Sequence, residues 1–150
     1  MSEAATNLGE VTFNRTFKAP RQLVFECMVT PEHLTHFWGP VGVSTPIGNI
    51  EVDARPGGVF NTTMVNDATG EEYPNHGVYV EVSPPERIVF TEPDVEGGMT
   101  TSVTFTDNGD GTTAVVIHQT NVPEMYRTPE AQKNMTSSFT RMDQYLATLV

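Results

Sequence analysis

The segment 128–150 carries an apolar stripe at helical spacing, and this stripe constrains the fold most. Large apolar residues recur three or four positions apart: Met135, Phe139, Met142, Leu146 and Leu149. At 3.6 residues per turn they fall on one face of a helix of about five turns. Thr128 and Pro129 precede them and are typical of an N-cap and a first helical residue. Such a helix needs a broad apolar partner surface.

Short runs of alternating apolar and polar residues over residues 43–119 predict that surface as a sheet. The turn sequences DARPGG, NDATGEE, SPPE and DNGDG lie within this region, which we interpret as six strands. Residues 10–18 predict one further strand, and residues 20–39 predict two short helices, the second capped by Thr30 and beginning at Pro31. The sequence therefore predicts an α+β fold, with a curved seven-stranded antiparallel sheet around the long helix and two short helices after the first strand.

Length and charge limit the function classes. A chain of 150 residues suits a single domain over residues 1–150, and we expect residues 1–8 to be flexible. A net charge of −11 repels phosphate groups, so we expect no nucleic acid or membrane partner. The one cysteine, Cys27, excludes an internal disulfide. Because the first residues also lack the features of a signal peptide, the sequence predicts a cytoplasmic location.

Three motifs resemble one known family. The stretch FKAPRQLVFECMVTPEHLTHFWGP (17–40) is similar to the opening of the family named after the activator of heat-shock protein 90 ATPase. DARPGGVF (53–60) resembles its Asp-x-Arg-x-Gly-Gly-x-aromatic turn, and HGVYVEVSPPERIVFT (76–91) resembles its Gly-x-Tyr-x-Glu strand and the turn after it. The resemblance spans about residues 11–149. It departs at Ser138–Phe139, where such proteins often have Gly-Trp.

The resemblance implies the helix-grip fold of the START and birch-allergen-like superfamily (SRPBCC), in which sheet and helix enclose a cavity. It also implies a possible contact with a chaperone, which nothing else in the sequence supports. The family name comes from a eukaryotic co-chaperone that carries an extra domain, which we do not expect in this chain. Many small relatives have no established activity, so the resemblance predicts the fold more sharply than the function.

Alternation assigns the side chains that face the long helix. The residues that we expect to point inward come from four predicted strands. They are Phe60, Thr62 and Met64; Gly77, Tyr79 and Glu81; Ile88, Phe90 and Glu92; and Ala114, Val116 and His118. These faces and the helix predict a mostly apolar pocket. The candidate ligand-binding residues are Phe37, Trp38, Phe60, Met64, Tyr79, Phe90, His118, Met135, Phe139 and Met142. Phe37 and Trp38 are expected at the pocket mouth, as a lid or core plug. Each residue can instead be ordinary core.

Several polar residues allow two interpretations of their role. An inward His118 is either a ligand contact or base, or a buried histidine bonded to a neighbouring group. Glu81 and Glu92 can serve as acid or base if they are buried. Asp53 and Arg55 lie two apart on a predicted strand, share a face, and are expected to form an ion pair beside the Gly57–Gly58 turn; alternatively, Arg55 binds a ligand carboxylate.

Catalytic and metal-binding patterns are missing from the sequence. His33 and His36 are three residues apart on a short helix, but Glu32 is the only third ligand nearby, so we interpret them as a surface pair. Cys27 lies on an apolar helical stripe and is interpreted as a core residue. The sequence contains no nucleophile elbow, phosphate-binding loop or zinc-protease motif. We therefore predict no metal, no cofactor and no catalytic residue.

These observations favour a protein that binds a lipid-like, aromatic or polyketide-like molecule in an internal apolar cavity. Two alternatives remain open. The first is a cyclase or hydratase that uses the same cavity, with His118, Glu81 or Tyr79 as proton carriers. The second is a co-factor that activates a chaperone ATPase through its surface. Binding without catalysis is the expected outcome, and the sequence does not predict the oligomeric state.

Overall fold

A computed structural model describes residues 8–95 and 97–150. Strand β1 (Gly9–Phe17) is followed by helices α1 (Arg21–Val29) and α2 (Pro31–Leu34). The next strands are β2 (Val43–Ser44), β3 (Ile50–Val52), β4 (Val59–Asn66), β5 (Glu72–Ser83), β6 (Arg87–Glu92), β7 (Met99–Asp107) and β8 (Thr113–Val122), and helix α3 (Pro129–Leu146) comes after them. Most of the segment expected to be flexible, residues 1–7, lies outside the described residues, whereas Leu8 packs closely against Gly97.

The strands form one antiparallel sheet in the order β1–β8–β7–β6–β5–β4–β2, with β3 also paired to β4. The predicted order of strand, two helices, further strands and long helix is confirmed. The described residues contain eight strands rather than the predicted seven, because the first strand after the helices is divided. Pro46 has no N–H for a strand ladder, and a 3₁₀ turn (Ile47–Asn49) follows it and separates β2 from β3.

One face of the sheet, here called the inner face, packs against the helices. On β7 every second residue from Met99 to Phe105 is buried, as alternation requires. Phe105 meets Phe25 of α1 at a ring-centroid distance of 5.3 Å. Phe13 of β1 meets Phe139 of α3 at 5.7 Å, edge to face. The inner face is therefore covered by α1 over β7 and by α3 over β1.

The predicted face of β8 is wrong. Val115 and Ile117 are buried at 2% and 4% exposure, whereas Val116 is 37% exposed. His118 therefore lies on the outer face, opposite Thr12 of β1, and Ala114 lies on the same side. Four consecutive apolar residues, 114–117, leave the alternation ambiguous, and the pairing of Ile117 with Phe13 decides it.

The predicted face of Glu81 is also wrong, because β5 contains a β-bulge. Tyr79 pairs with Phe90 and Glu81 pairs with Val89, so Val80 is the additional residue on β5. An extra residue reverses the alternation after it. Tyr79 is on the inner face, while Glu81 lies outside, where it forms an ion pair with Arg87 at 3.4 Å.

Helix α3 begins at the predicted cap. The Thr128 hydroxyl accepts a hydrogen bond from the Ala131 N–H at 3.1 Å, and Pro129 is the first helical residue. The helix ends at Leu146, so Leu149, which is exposed, does not belong to the buried stripe. Asp143 of α3 forms an ion pair with Arg15 on the inner face of β1. None of the described helices is long and apolar enough to span a membrane.

Candidate functional site

The two halves of α3 differ in burial. In the C-terminal half, Phe139, Met142 and Leu146 are buried against the sheet. In the N-terminal half, Met135 is only half-buried although it belongs to the same stripe. The helix is therefore packed tightly at one end and covers the inner face more loosely at the other.

An aromatic layer lies on the inner face of β4, β5 and β6. The ring of Phe60 stacks on Tyr79 at 5.8 Å and meets Phe90 edge to face at 5.0 Å. Gly77 lies between the two phenylalanines, and a Cβ at this position would come within 3.0 Å of the Phe60 carbonyl oxygen. Tyr79 is 2% exposed, whereas Phe90 is only half-buried although its strand lies in the middle of the sheet. Phe90 is therefore the member of the aromatic layer that stays partly accessible.

The segment that joins α2 to β2, residues 35–42, lies beside this layer. Trp38 of this segment packs on Phe60 at 5.2 Å, and Gly39 lies close to the sulfur of Met64. Phe37 is buried and Trp38 is half-buried. The 35–42 segment thus provides one wall of the candidate site.

Polar groups of α3 hold the 35–42 segment in place. The Arg141 guanidinium donates to the carbonyl oxygens of Gly39 at 2.7 Å and Val43 at 3.0 Å. The Ser138 hydroxyl donates to the Phe37 carbonyl at 2.8 Å, and the Ser137 hydroxyl accepts from the Val41 N–H at 2.9 Å. The position of this wall is therefore set by hydrogen bonds from one helix.

Two polar groups on the inner face have no hydrogen-bond partner in the described part of the chain. The Tyr79 hydroxyl is fully buried and unbonded. Glu92 follows Phe90 on the inner face of β6, and burial alone raises the pKa of its carboxyl group to about 7. Buried polar groups usually have partners, so these two are exceptions among the described residues.

Comparisons with known proteins give the family and support the fold. The model of the family described as "Activator of Hsp90 ATPase homolog 1-like protein" matches residues 18–147. The chain belongs to this family. No curated protein matches the chain in sequence. The family places the chain within the START-like SRPBCC superfamily, as the sequence motifs predicted.

Solved structures of family-like proteins share the fold. A protein from Chromobacterium violaceum is 24% identical, covers 91% of this chain and 96% of its own, and superposes with a TM-score of 0.82. A protein from Nitrosomonas europaea is 22% identical with 97% of both chains covered and a TM-score of 0.82. The AHSA1 protein from Silicibacter pomeroyi is 19% identical over 95% of this chain and 100% of its own, with a TM-score of 0.80. At these identities the likeness concerns the fold alone.

The family fold brings most of the predicted site residues together. Phe60, Tyr79 and Phe90 form the aromatic layer, and Trp38 contacts it. The remaining predicted residues on the helix side of the sheet are Phe37, Met64, Met135, Phe139 and Met142. Whether these side chains contact a ligand stays a prediction.

His118 is separated from this group. On the outer face of the sheet its Nδ1 lies 2.9 Å from the Thr12 hydroxyl, and its Nε2 lies 3.0 Å from the Glu10 carboxylate. The second reading of the sequence, a histidine bonded to a neighbouring hydroxyl, describes these contacts, although the side chain is 39% exposed rather than buried. His118 therefore cannot reach a ligand on the inner face.

The sequence analysis missed Phe13, Arg141 and Gln119 as residues around the site. Phe13 packs on Phe139, and its alternation on β1 was a sufficient signal. Gln119 follows Ile117 on the inner face and donates to the Thr101 hydroxyl at 3.2 Å, but the wrong face for β8 concealed it. Arg141 had no signal, because its partners are backbone carbonyls about a hundred residues away.

Asp53 and Arg55, the two charged residues beside the glycine turn, form the predicted ion pair. Arg55 Nε lies 2.8 Å from an Asp53 carboxylate oxygen, and both side chains are largely exposed. They sit in the turn after β3 rather than on a strand. This exposed pair lies outside the aromatic layer, so its local contacts favour the structural reading.

His33 and His36 both contact Tyr145 of α3. The His33 ring nitrogen and the Tyr145 hydroxyl are within hydrogen-bond distance, and the His36 ring stacks on Tyr145 at 4.6 Å. The pair therefore joins α2 to α3 rather than standing free on the surface. Among the described residues no three His, Cys, Asp or Glu side chains are grouped to hold a metal ion.

Cys27 and one surface depression complete the candidate features. Cys27 is fully buried, and desolvation together with the nearby Glu26 charge raises the pKa of its thiol to about 11, which makes it a poor nucleophile.

A depression of about 490 Å³ lies between the 35–42 segment and the start of α3. Its walls are Pro40, Val41, Pro129, Glu130, Lys133, Asn134 and Ser137. None of the aromatic layer lines this depression.

Proposed function

We infer that the protein binds a small apolar molecule between the aromatic layer and the N-terminal half of α3. The observation that carries this inference is the half-exposure of Phe90. A large aromatic side chain on the inner face of a central strand is normally covered, because its burial contributes roughly 2 to 3 kcal/mol. Met135, on the helix side of the site, is also only half-buried, which supports an open space between the helix and the sheet.

The walls favour an aromatic, lipid-like or polyketide-like ligand. Aromatic rings and Met64 provide a broad apolar surface with few hydrogen-bonding groups, which is the usual composition of a small-molecule site. The family fold is compatible with ligand binding, and it leaves the ligand open.

A neutral fluorescent probe tests this proposal. N-phenyl-1-naphthylamine, uncharged at neutral pH, is expected to bind with enhanced, blue-shifted emission. In Met135→Trp the larger ring fills the site, and we expect probe affinity to fall by about tenfold or more, equal to about 1.4 kcal/mol. The matched control is Met125→Trp, because Met125 is exposed outside the site.

Two results would contradict the proposal. One is the absence of probe binding to the folded wild-type protein. The other is equal loss of affinity in both tryptophan variants, since the probe would then bind somewhere other than the inner face. Circular dichroism of each variant confirms that the fold is retained.

A catalytic use of the same site has one observation in its favour. A carboxyl group with a pKa of about 7 suits a general base near neutral pH, and Glu92 lies on the inner face beside the Tyr79–Phe90 pair. His118 and Glu81 lie outside and cannot take part. A cyclase or hydratase of this kind would lose turnover in Glu92→Gln while retaining ligand binding.

The chaperone alternative lacks an equivalent observation. The most exposed large apolar side chains of the described residues belong to different segments and to the chain end: Val41, Ile47, Val80, Met125 and Val150. A co-chaperone surface would be expected to gather such residues into one patch. Ligand binding is therefore the function that the geometry supports best.

A further inference from the structure

We propose that the ligand carries a cationic nitrogen, such as a protonated amine, which pairs with the Glu92 carboxylate while its apolar body lies on the aromatic layer. This rests on the proposed function and adds the chemical class of the polar end. It also excludes fatty acids and other apolar carboxylates as the preferred ligands. The inference depends on Glu92, Tyr79 and the charges around them.

Glu92 faces the candidate site. It is two residues after Phe90 on the same strand, so both side chains lie on the inner face. Its backbone neighbour on β7 is Met99, which offers no hydrogen-bond donor of useful strength in its side chain. The side chain is half-buried, and the described part of the chain provides it with no hydrogen bond or ion pair. The carboxylate thus lies on the inner face, partly accessible and unpaired.

An unpaired carboxylate in an apolar layer is costly to the folded state. Buried charges in proteins are normally paired or bound to a metal, because removal from water is unfavourable. The raised pKa of Glu92 has burial as its only cause, so no neighbouring basic side chain compensates the charge. A cation brought by a ligand would provide the partner that the chain itself lacks.

Tyr79, on the neighbouring strand β5, carries a second polar group without a partner. Tyr79 pairs with Phe90, and Glu92 is the diagonal neighbour in this register, about 7 to 8 Å away between backbones. Tyr79 is 2% exposed, and its hydroxyl has no partner. Burial raises the pKa of this hydroxyl, so it stays neutral and can donate as well as accept. Two polar groups without partners on neighbouring strands of the inner face are consistent with a polar end of the ligand in this region.

The overall charge favours a cation over an anion. With 19 acidic and 8 basic residues, the surface attracts cations and repels anions on approach. Arg15, the basic residue that the strand pattern places on the inner face of β1, is already paired with Asp143. A ligand carboxylate would therefore be repelled by the charge of Glu92. The described strands offer no unpaired basic side chain on the inner face to neutralise it.

The test is a competition between ligands that differ only in their polar end. Decylamine, decanol and decanoate have the same chain length and displace bound N-phenyl-1-naphthylamine at pH 8, where the amine is protonated. We expect decylamine to displace the probe at a concentration about tenfold lower than decanoate or less, equal to 1.4 kcal/mol or more. Ethylamine, which lacks the apolar chain, is expected to leave the probe bound.

Matched variants test whether the preference for the amine comes from Glu92. Glu92→Gln keeps the size of the side chain and removes its charge, so we expect it to retain probe binding and lose most of the preference for the amine. Glu81→Gln removes a carboxylate from the outer face and is expected to keep the full preference. A preference lost equally in both variants would show general attraction to an acidic surface and would contradict the inference.

The outcomes separate the two proposals. If the probe fails to bind wild-type protein, the proposed function and this inference both fail. If the probe binds but decanoate competes as well as decylamine, only the cationic ligand is contradicted. The comparison of the three ligands on wild-type protein needs no variant, so it can contradict the cationic ligand even if Glu92→Gln misfolds.

Discussion

At the scale of single residues, the inner face carries groups that a purely structural core would avoid. Tyr79 and Glu92 are polar, lack partners in the described part of the chain, and lie on strands in the interior of the sheet. Apolar side chains of similar size would stabilise this layer more. Local departures from good core design are expected at functional sites, and these two residues are the departure in this protein.

Glu92 is expected to make the free energy of unfolding depend on pH. Burial raises its pKa in the folded state to about 7, above the ordinary value of 4.5 for a glutamate, so the folded protein binds the proton more tightly than the unfolded chain does. The fold therefore loses stability as the pH rises from about 4.5 through 7, and the loss is complete above that range. Glu92→Gln has no such loss, and we expect it to gain roughly 3 kcal/mol over wild type across this window.

Urea unfolding at several pH values measures this effect. The difference in the free energy of unfolding between Glu92→Gln and wild type should grow with pH and level off near pH 8. Glu81→Gln, which removes an ion-paired carboxylate from the outer face of the sheet, is the control. A difference that stays constant with pH would contradict the burial of Glu92.

Gly58 is required by space rather than by an unusual φ angle. A Cβ at this position would lie 2.0 Å from the Asp53 carbonyl oxygen, which is backbone and cannot move aside. We expect Gly58→Ala to lower the free energy of unfolding by about 1 to 3 kcal/mol through overpacking. Gly48→Ala, where no atom lies within 4 Å, is the control and should be near neutral. Similar melting temperatures for the two variants would contradict this role.

At the scale of elements, α3 has two functions in its two halves. The C-terminal half anchors the helix through Phe139, Met142 and Leu146, while the N-terminal half leaves Met135 half-buried over the candidate site. Ser138 shows why this chain departs from the Gly-Trp pattern without loss of the fold. Its hydroxyl donates to the Phe37 carbonyl, and Phe139 fills the adjacent space against Phe13.

The hold of α3 on the 35–42 segment is testable through Arg141. In Arg141→Met the bonds to the Gly39 and Val43 carbonyls are lost. We expect the Val41 and Val43 amides to exchange with deuterium at least about tenfold faster, because bonds from a charged donor contribute roughly 1.5 to 3 kcal/mol. Gln144→Met, an exposed position on the same helix, is the control. Equal exchange in both variants would show that the segment is held by other contacts.

At the scale of the whole molecule, the sequence predicted the architecture well because long patterns determine it. The stripe on α3 and the strand alternation each involve many residues, so single ambiguities do not change the result. The division of the strand at Pro46 was missed because a two-residue strand such as β2 is too short to show a period.

The site was predicted less completely, and the errors have particular causes. Face assignment on β5 failed after Val80, because a bulge arises from pairing and not from local sequence. On β8 it failed at Val115–Ile117, where the partner strand chooses the face. Phe60, Tyr79 and Phe90 were correctly placed on the inner face because they precede the bulge or lie on strands with clear alternation.

The pairing of β1 with β8 has a consequence for synthesis of the protein. Phe17 pairs with Thr113, so β1 leaves the ribosome about a hundred residues before its partner does. At about 5 to 20 residues per second, the strand stays unpaired for roughly 5 to 20 seconds. Arg15 places a charge among its apolar side chains, a feature that discourages pairing with foreign strands. The sheet edge is thus most vulnerable to aggregation while the chain is being made.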